Sequence, residues 1–278
     1  MPELPEVERA RRLIERVAGG QCIVRATCAR DPIVYDGVRP IQMRGALVGR
    51  SVHAVARRGK HLWLELDRRP WPCFHLGMTG EFRTRGETPL KLASSPAVDD
   101  LSWPPRFVKI HLVMEDGREL VMTNKRRLGR IRLREDPLTE PPIGNLGFDP
   151  LLDLPLPSRF TQLLARRTGV IKAVLLDQTF AAGVGNWIAD EVLYQARIDP
   201  RRRAVDLSTP EAKRLRTKLK HVIDVAVRAN ADKTLFPRGW LFHQRWGRAA
   251  AAVTLRGQPI EHLTIGGRTT AWVPARQR

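Results

Sequence analysis

The sequence predicts an α+β protein: an N-terminal β-sandwich with flanking helices, then a helical domain that ends in a β-hairpin. Three observations predict it. Between residues 22 and 134, short apolar and β-branched runs recur, separated by turn residues. Six prolines (137, 141, 142, 150, 155 and 157) then break the pattern. Beyond them the apolar spacing becomes helical, and the last residues return to strand-like runs.

The elements follow in order. Val7, Ala10, Leu13, Ile14 and Val17 recur at helical spacing, so residues 6–17 form a helix that Gly19-Gly20 stops. Strands are expected over 22–28, 46–56, 61–66, 106–114, 119–123 and 131–134, with Asp116-Gly117 turning a hairpin. The polar, Pro-rich stretch 90–105 reads as a long loop. Residues 137–157 read as a linker between a domain over 1–136 and a helical one over 158–239. In the second domain helices are expected over 159–165, capped by Ser158, and over 170–177, 187–196 and 209–229. Residues 240–278 read as strand, turn, turn, strand.

Charge narrows the function classes. There are 48 Lys and Arg against 29 Asp and Glu, a formal net charge of +19. A surface that basic fits a polyanion, most plausibly nucleic acid. An acidic membrane surface is the competing partner, but no apolar run has the length of a span. Cys22, Cys28 and Cys73 show no paired short spacing, so neither a disulfide framework nor a four-thiolate zinc site is expected. His243 and His262 are too isolated to hold a metal. No signal segment precedes the first helix, and an intracellular location is expected.

Four stretches carry possible chemistry. Pro2 is small enough for Met1 to be removed, leaving a secondary amine with a pKa near ~8. Such an amine attacks a sugar aldehyde carbon to give an iminium, an electron sink. Glu3 stands beside it as a proton shuttle. Glu6 and Glu8 fall in the first helical turn, where the macrodipole favours carboxylates. The plain alternative is a helix start with Pro5 in the first turn. Lys60, after Gly59 at a strand start, reaches a phosphate or lies in a solvated turn. Met78, in His75-Leu76-Gly77-Met78-Thr79-Gly80, fills a core gap on pattern alone. In Gly183-Val184-Gly185-Asn186 the glycines allow a tight turn, and Asn186 opens a helix. That is either an anion site or a capped αα-hairpin.

Taken together, Pro2-Glu3-Leu4-Pro5-Glu6-Val7-Glu8, the His75–Gly80 string and the segment around Gly183-Val184-Gly185-Asn186 resemble the formamidopyrimidine-DNA glycosylase/endonuclease VIII family. The resemblance runs over nearly the whole chain. It implies an N-terminal proline nucleophile at Pro2, Glu3 as acid/base and Lys60 as the active-site lysine. It implies DNA contacts from Glu6, His75, Met78, Arg126, Leu128, Lys172, Asn186 and Arg268. Asn124-Lys125-Arg126-Arg127-Leu128-Gly129 is similar to the family's Asp-Pro-Arg-Arg-Phe-Gly loop. There the first Arg pairs with the orphaned base and the Phe wedges the stack; here the wedge is Leu128, which stacks more weakly. The resemblance further implies that the helical domain is a helix–two-turn–helix, with Asn186 on phosphates and Asp190-Glu191 structural.

Bacterial members usually end in a zinc finger with two Cys-x-x-Cys pairs. Residues 240–278 have no cysteine and resemble instead the zincless finger of plant and fungal members, with Arg268 as its phosphate-facing arginine. No metal or cofactor is expected. The implied partner is duplex DNA carrying oxidised bases or abasic sites, bound by a monomer in a basic cleft between the domains. The stretch 230–239 is short where many bacterial members carry a long loop over flipped 8-oxoguanine. Formamidopyrimidines and hydantoins are therefore the expected substrates, with 8-oxoguanine poor. Two rivals share the charge: a non-catalytic binder of damaged or bent DNA, which Pro2-Glu3 disfavours, and an RNA- or ribosome-binding protein, which the β-region motifs disfavour.

Overall fold

A computed structural model describes residues 2–87, 102–246 and 252–278. The chain forms two compact units, residues 1–145 and 146–278.

The first unit opens with α1 (Leu4–Ala18). Leu4, Val7, Ala10, Ile14 and Val17 lie along its buried stripe, each large apolar side chain contributing roughly 1.5–3 kcal/mol on burial. Then come β1 (Cys22–Cys28), α2 (Pro40–Leu47), β2 (Arg50–Arg58), β3 (His61–Leu66), β4 (Trp71–His75), β5 (Gly80–Thr84), β6 (Val108–Met114), β7 (Glu119–Asn124) and β8 (Arg130–Arg134). The strands form one antiparallel sheet in the order β5-β7-β6-β1-β2-β3-β4-β8. The middle seam is thin: β1 pairs with β2 only through Cys22↔Ser51 and Ile23↔Arg50. Two four-stranded halves result, and they share one core. Phe74 of β4 meets Phe82 of β5 edge-on at 5.2 Å, and Leu62, Leu64, Ile110, Leu112 and Met122 fill the same cluster.

The expected hairpin at Asp116-Gly117 joins β6 to β7. Elsewhere the first unit departs from its sequence reading. Residues 46–47 end a helix rather than begin a strand: Pro40 starts α2, Met43 and Leu47 bury one face, and β2 begins at Arg50. The pairs β4 and β5 went unread because Pro72 and the adjoining loop mask their alternation. The loop expected over 90–105 falls largely outside the described residues.

The second unit holds α3 (Pro157–Ala165), α4 (Ile171–Leu176), α5 (Asn186–Ala196), α6 (Thr209–Arg228) and the hairpin β9 (Glu261–Ile265)–β10 (Arg268–Trp272). Ser158 does not cap α3; Pro157 is already helical and Leu156 is the capping residue. Ser208 and Glu211 cap α6 reciprocally. The first strand expected within 240–278 is reduced to the bridge Val253↔Pro259. Among the described residues, no helix is long and apolar enough to cross a membrane.

Candidate active site and nucleic-acid contacts

Pro2 and Glu3 are both buried, Glu3 to 2 % exposure. Glu3 is the capping residue of α1: its carboxylate accepts from the Glu6 N–H, and its own N–H donates to Glu6 Oε2 at 3.0 Å. The chain start is thus folded into the helix end and held there. Burial raises the Glu6 pKa to about 7, and the Glu3 charge adds to the rise. At Glu6, desolvation therefore outweighs the favourable helix dipole that sequence position suggests. Amine chemistry at Pro2 requires removal of Met1.

Lys60 sits in the two-residue turn Gly59-Lys60 between β2 and β3, where Arg58 pairs with His61. The turn is tied to α1. Arg57 donates to Glu8 Oε2 at 3.1 Å and to the Gly59 carbonyl at 2.9 Å. Glu8 also takes Arg11 and Arg12, each at 3.1 Å.

His75 pairs with His61 across β3–β4, ring centroids 4.8 Å apart. Burial, the charge of Lys60 and that of Arg132 push the His75 pKa down to about 4. Burial and the charge of His75 push that of His61 to about 3. Both rings are neutral at neutral pH. The Gly77 N–H donates to His75 Nδ1 at 3.3 Å, which leaves the proton on Nε2 as a donor.

The loops carrying Met78 and Leu128 are interlocked. Asn124, fully buried, donates to the Leu76 carbonyl at 3.0 Å and accepts from the Gly129 N–H at 3.2 Å. Gly77, at φ +63, lies so close that a Cβ there would meet the Leu128 carbonyl carbon at 2.4 Å. The Arg126 N–H reaches Thr79 Oγ1 at 3.3 Å. Met78 is partly buried, while Arg126 and Leu128 are exposed, Leu128 to 41 %. Arg127 takes the left-handed φ of 55°, a conformation that costs a non-glycine residue about 1 kcal/mol.

In the second unit, the turn before α5 is clasped by Gln178. Its amide donates to the Leu176 and Val184 carbonyls at 2.8 and 2.9 Å and accepts from the Gly183 N–H at 3.0 Å. Gly183 adopts φ +91, whereas Gly185 is the extended capping residue, so only the first glycine provides the tight turn. Asn186 donates to the Thr269 carbonyl at 2.8 Å; its Oδ1 is buried and accepts nothing among the described residues.

Lys172 is fully buried. It pairs with Asp190 and donates to the Asn186 carbonyl at 3.0 Å. In this arrangement its ammonium is buried away from solvent, against the carbonyl of Asn186. Asp190 also takes Arg245 at 2.5 Å and the Ala271 N–H at 3.2 Å. One carboxylate thereby holds α4, α5, the 241–245 segment and β10. Arg268 is exposed at the start of β10, one residue from the Asn186 contact at Thr269.

Sequence reading gave Glu8 only a helix-dipole role and Asn124 and Gln178 none; it read Asp190 as structural without its partners. The signal for Gln178 was present: Asp177-Gln178-Thr179 starts an Asx turn, with the Thr179 N–H on Asp177 Oδ1 at 2.9 Å.

Residues 1–131 match the model of the formamidopyrimidine-DNA glycosylase N-terminal domain and residues 146–237 that of its H2TH domain. The chain belongs to the formamidopyrimidine-DNA glycosylase family. It is 42 % identical over 278 residues to an Arabidopsis thaliana formamidopyrimidine-DNA glycosylase, covering all of this chain and 71 % of that one. It is 34 % identical over 289 residues to the Thermus thermophilus protein of that name, covering 100 % and 98 %. It superposes with a TM-score of 0.81 on MutM in complex with DNA containing carbocyclic 8-oxo-G, at 25 % identity and full coverage of both chains.

Proposed function

We propose that this chain is a DNA glycosylase with abasic-site lyase activity, acting as a monomer inside the cell on duplex DNA that carries oxidised bases. The observation that carries the reading is the buried, capped Pro2-Glu3 start, tied through Glu8 and Arg57 to the Lys60 turn. Family membership supports it. So do relatives named formamidopyrimidine-DNA glycosylase over the full chain.

With Met1 removed, the Pro2 amine attacks C1′ of the damaged nucleotide. The glycosidic bond breaks and its electron pair leaves with the base, which takes a proton. Glu3, beside the amine, moves protons on the sugar. The amine then loses its proton and its lone pair opens the sugar ring: the C1′–O4′ bond breaks and O4′ takes a proton. The resulting iminium acidifies C2′–H, whose loss expels the 3′-phosphate, and a second elimination expels the 5′-phosphate. Lys60 and the neutral His75 supply donors to the phosphates. Met78, Arg126 and Leu128 fill the space that the extruded nucleotide leaves.

In the second unit, residues 158–239 hold the strand through Asn186, and 240–278 act as a finger through Arg268. Lys172 serves as the support of Asn186, and Glu6 as the cap partner of Glu3. Borohydride trapping tests the reading. The native protein should crosslink to abasic duplex, and a form that retains Met1, whose Pro2 nitrogen is an amide, should not. Equal crosslinking by both would remove Pro2 as nucleophile, and no crosslinking by either would leave a non-catalytic binder.

A further inference from the structure

The wedge loop is held from beneath by a residue far away in sequence. Asp31 follows β1 and is 5 % exposed. Its Oδ1 accepts from the Ile33 and Val34 N–H groups at 3.2 and 3.3 Å, and its Oδ2 takes Lys109 Nζ of β6 at 2.8 Å. The carboxylate is therefore fixed to the sheet before it meets the loop. Arg127 then grips it with Nε at 3.1 and 3.2 Å and Nη2 at 3.0 Å. Although burial alone would raise the Asp31 pKa, the Arg127 and Lys109 contacts hold it well below the usual carboxylate range, so it stays charged.

Arg127 stands between Arg126 and Leu128. Drawing its side chain down onto Asp31 sustains its left-handed backbone and leaves the two neighbours facing outward, both exposed.

We propose that Asp31 is a positioning residue for base extrusion: through Arg127 it presents Arg126 to the orphaned base and Leu128 to the opened stack. The proposal rests on the glycosylase reading above. It places the determinant of opposite-base selectivity partly outside the loop that reads the base. An unclamped loop would keep Arg126 and Leu128 but lose their pose, and a displaced group forfeits most of its contribution in the transition state.

The test uses the full chain and two variants, Asp31→Asn and Arg127→Ala. One substrate is duplex DNA with a formamidopyrimidine opposite C or opposite A. The other is a single-stranded abasic oligonucleotide, which has no opposite base and no duplex stack to wedge. Each variant should lower single-turnover excision from the duplex by about tenfold and draw the C-to-A rate ratio toward one. Trapping on the single strand should stay within about twofold of the native level. The double variant should be no slower than Arg127→Ala, since Asp31 acts through that residue. Duplex excision within about twofold of native by a folded Asp31→Asn protein would overturn the proposal. If Asp31→Asn does not fold, the half-exposed Arg127 decides alone by the same criterion. A native protein that traps no abasic DNA would bring down the glycosylase reading, and this one with it.

Discussion

Arg57 Nε lies 3.1 Å from Glu8 Oε2, with the two side chains 1 % and 8 % exposed. This pair joins the first helix to the turn that carries Lys60. A buried pair is retained because losing one partner strands the other's charge. Glu8→Ala should cost about 3 kcal/mol of stability by chemical denaturation. It should also slow strand cleavage at an abasic site more than Arg12→Ala does, because Arg57, its partner, also holds the Gly59 carbonyl.

Glu3→Gln should separate the two chemical steps. Proton transfer is needed most when the glycosidic bond breaks. Excision of a damaged base should fall by roughly 100-fold, while cleavage of a preformed abasic site falls far less. Equal losses on both substrates in single-turnover assays would show that Glu3 acts only as the cap of α1.

Asn124→Ala should loosen both wedge loops together. It leaves the Leu76 carbonyl and the Gly129 N–H without their buried partner. The expected cost is about 2 kcal/mol, read as a lower denaturation midpoint. Thr79→Ala, which removes only an exposed contact to the Arg126 backbone, should cost well under half of that.

The pH dependence of stability should carry the mark of Glu191. This carboxylate is fully buried between Gln195 and the Phe242 N–H, at 2.8 and 2.9 Å. Burial, opposed by those bonds, raises its pKa from 4.5 to about 7. The folded state thus binds a proton more tightly than the unfolded chain. The stabilisation is complete below pH ~4.5 and is lost as pH rises through ~7. Glu191→Gln should match the native protein near pH 4.5 and exceed it by about 3 kcal/mol at pH 8. A native curve that falls as steeply in the variant would assign the slope to other groups.

Damage preference should follow the segment after α6. Phe236, Trp240 and Phe242 gather around Trp187, with ring centroids 5.0–6.5 Å apart. A segment anchored in this way offers few backbone groups to read a base edge. On matched duplexes, hydantoins should be excised at least roughly tenfold faster than 8-oxoguanine in single-turnover measurements. Equal rates would mean that the pocket reads 8-oxoguanine without a covering loop.

The local pattern of residues determined much of this protein unaided. Helical spacing from Val7 to Val17 placed α1, β-branched runs placed β1, β3 and β7, and Asp116-Gly117 placed the β6–β7 hairpin. These features depend on neighbours a few residues apart, where propensity and periodicity act. The candidate residues Pro2, Lys60, Met78 and Asn186 were singled out by the resemblance of their strings to a known family, since each string alone also allows a plain structural role.

Tertiary structure decided what those residues can do. Glu8 reaches Arg57 across 49 positions, Asp31 reaches Arg127 across 96, and Asn124 reaches Leu76 across 48. Lys172, which the family resemblance put among the DNA contacts, turns inward onto Asp190 and the Asn186 carbonyl. Glu6, favoured as an ion by its helix position, is burdened by burial instead. Each outcome depends on the low dielectric and the fixed distances of a packed interior, and neither exists until strands distant in sequence have paired.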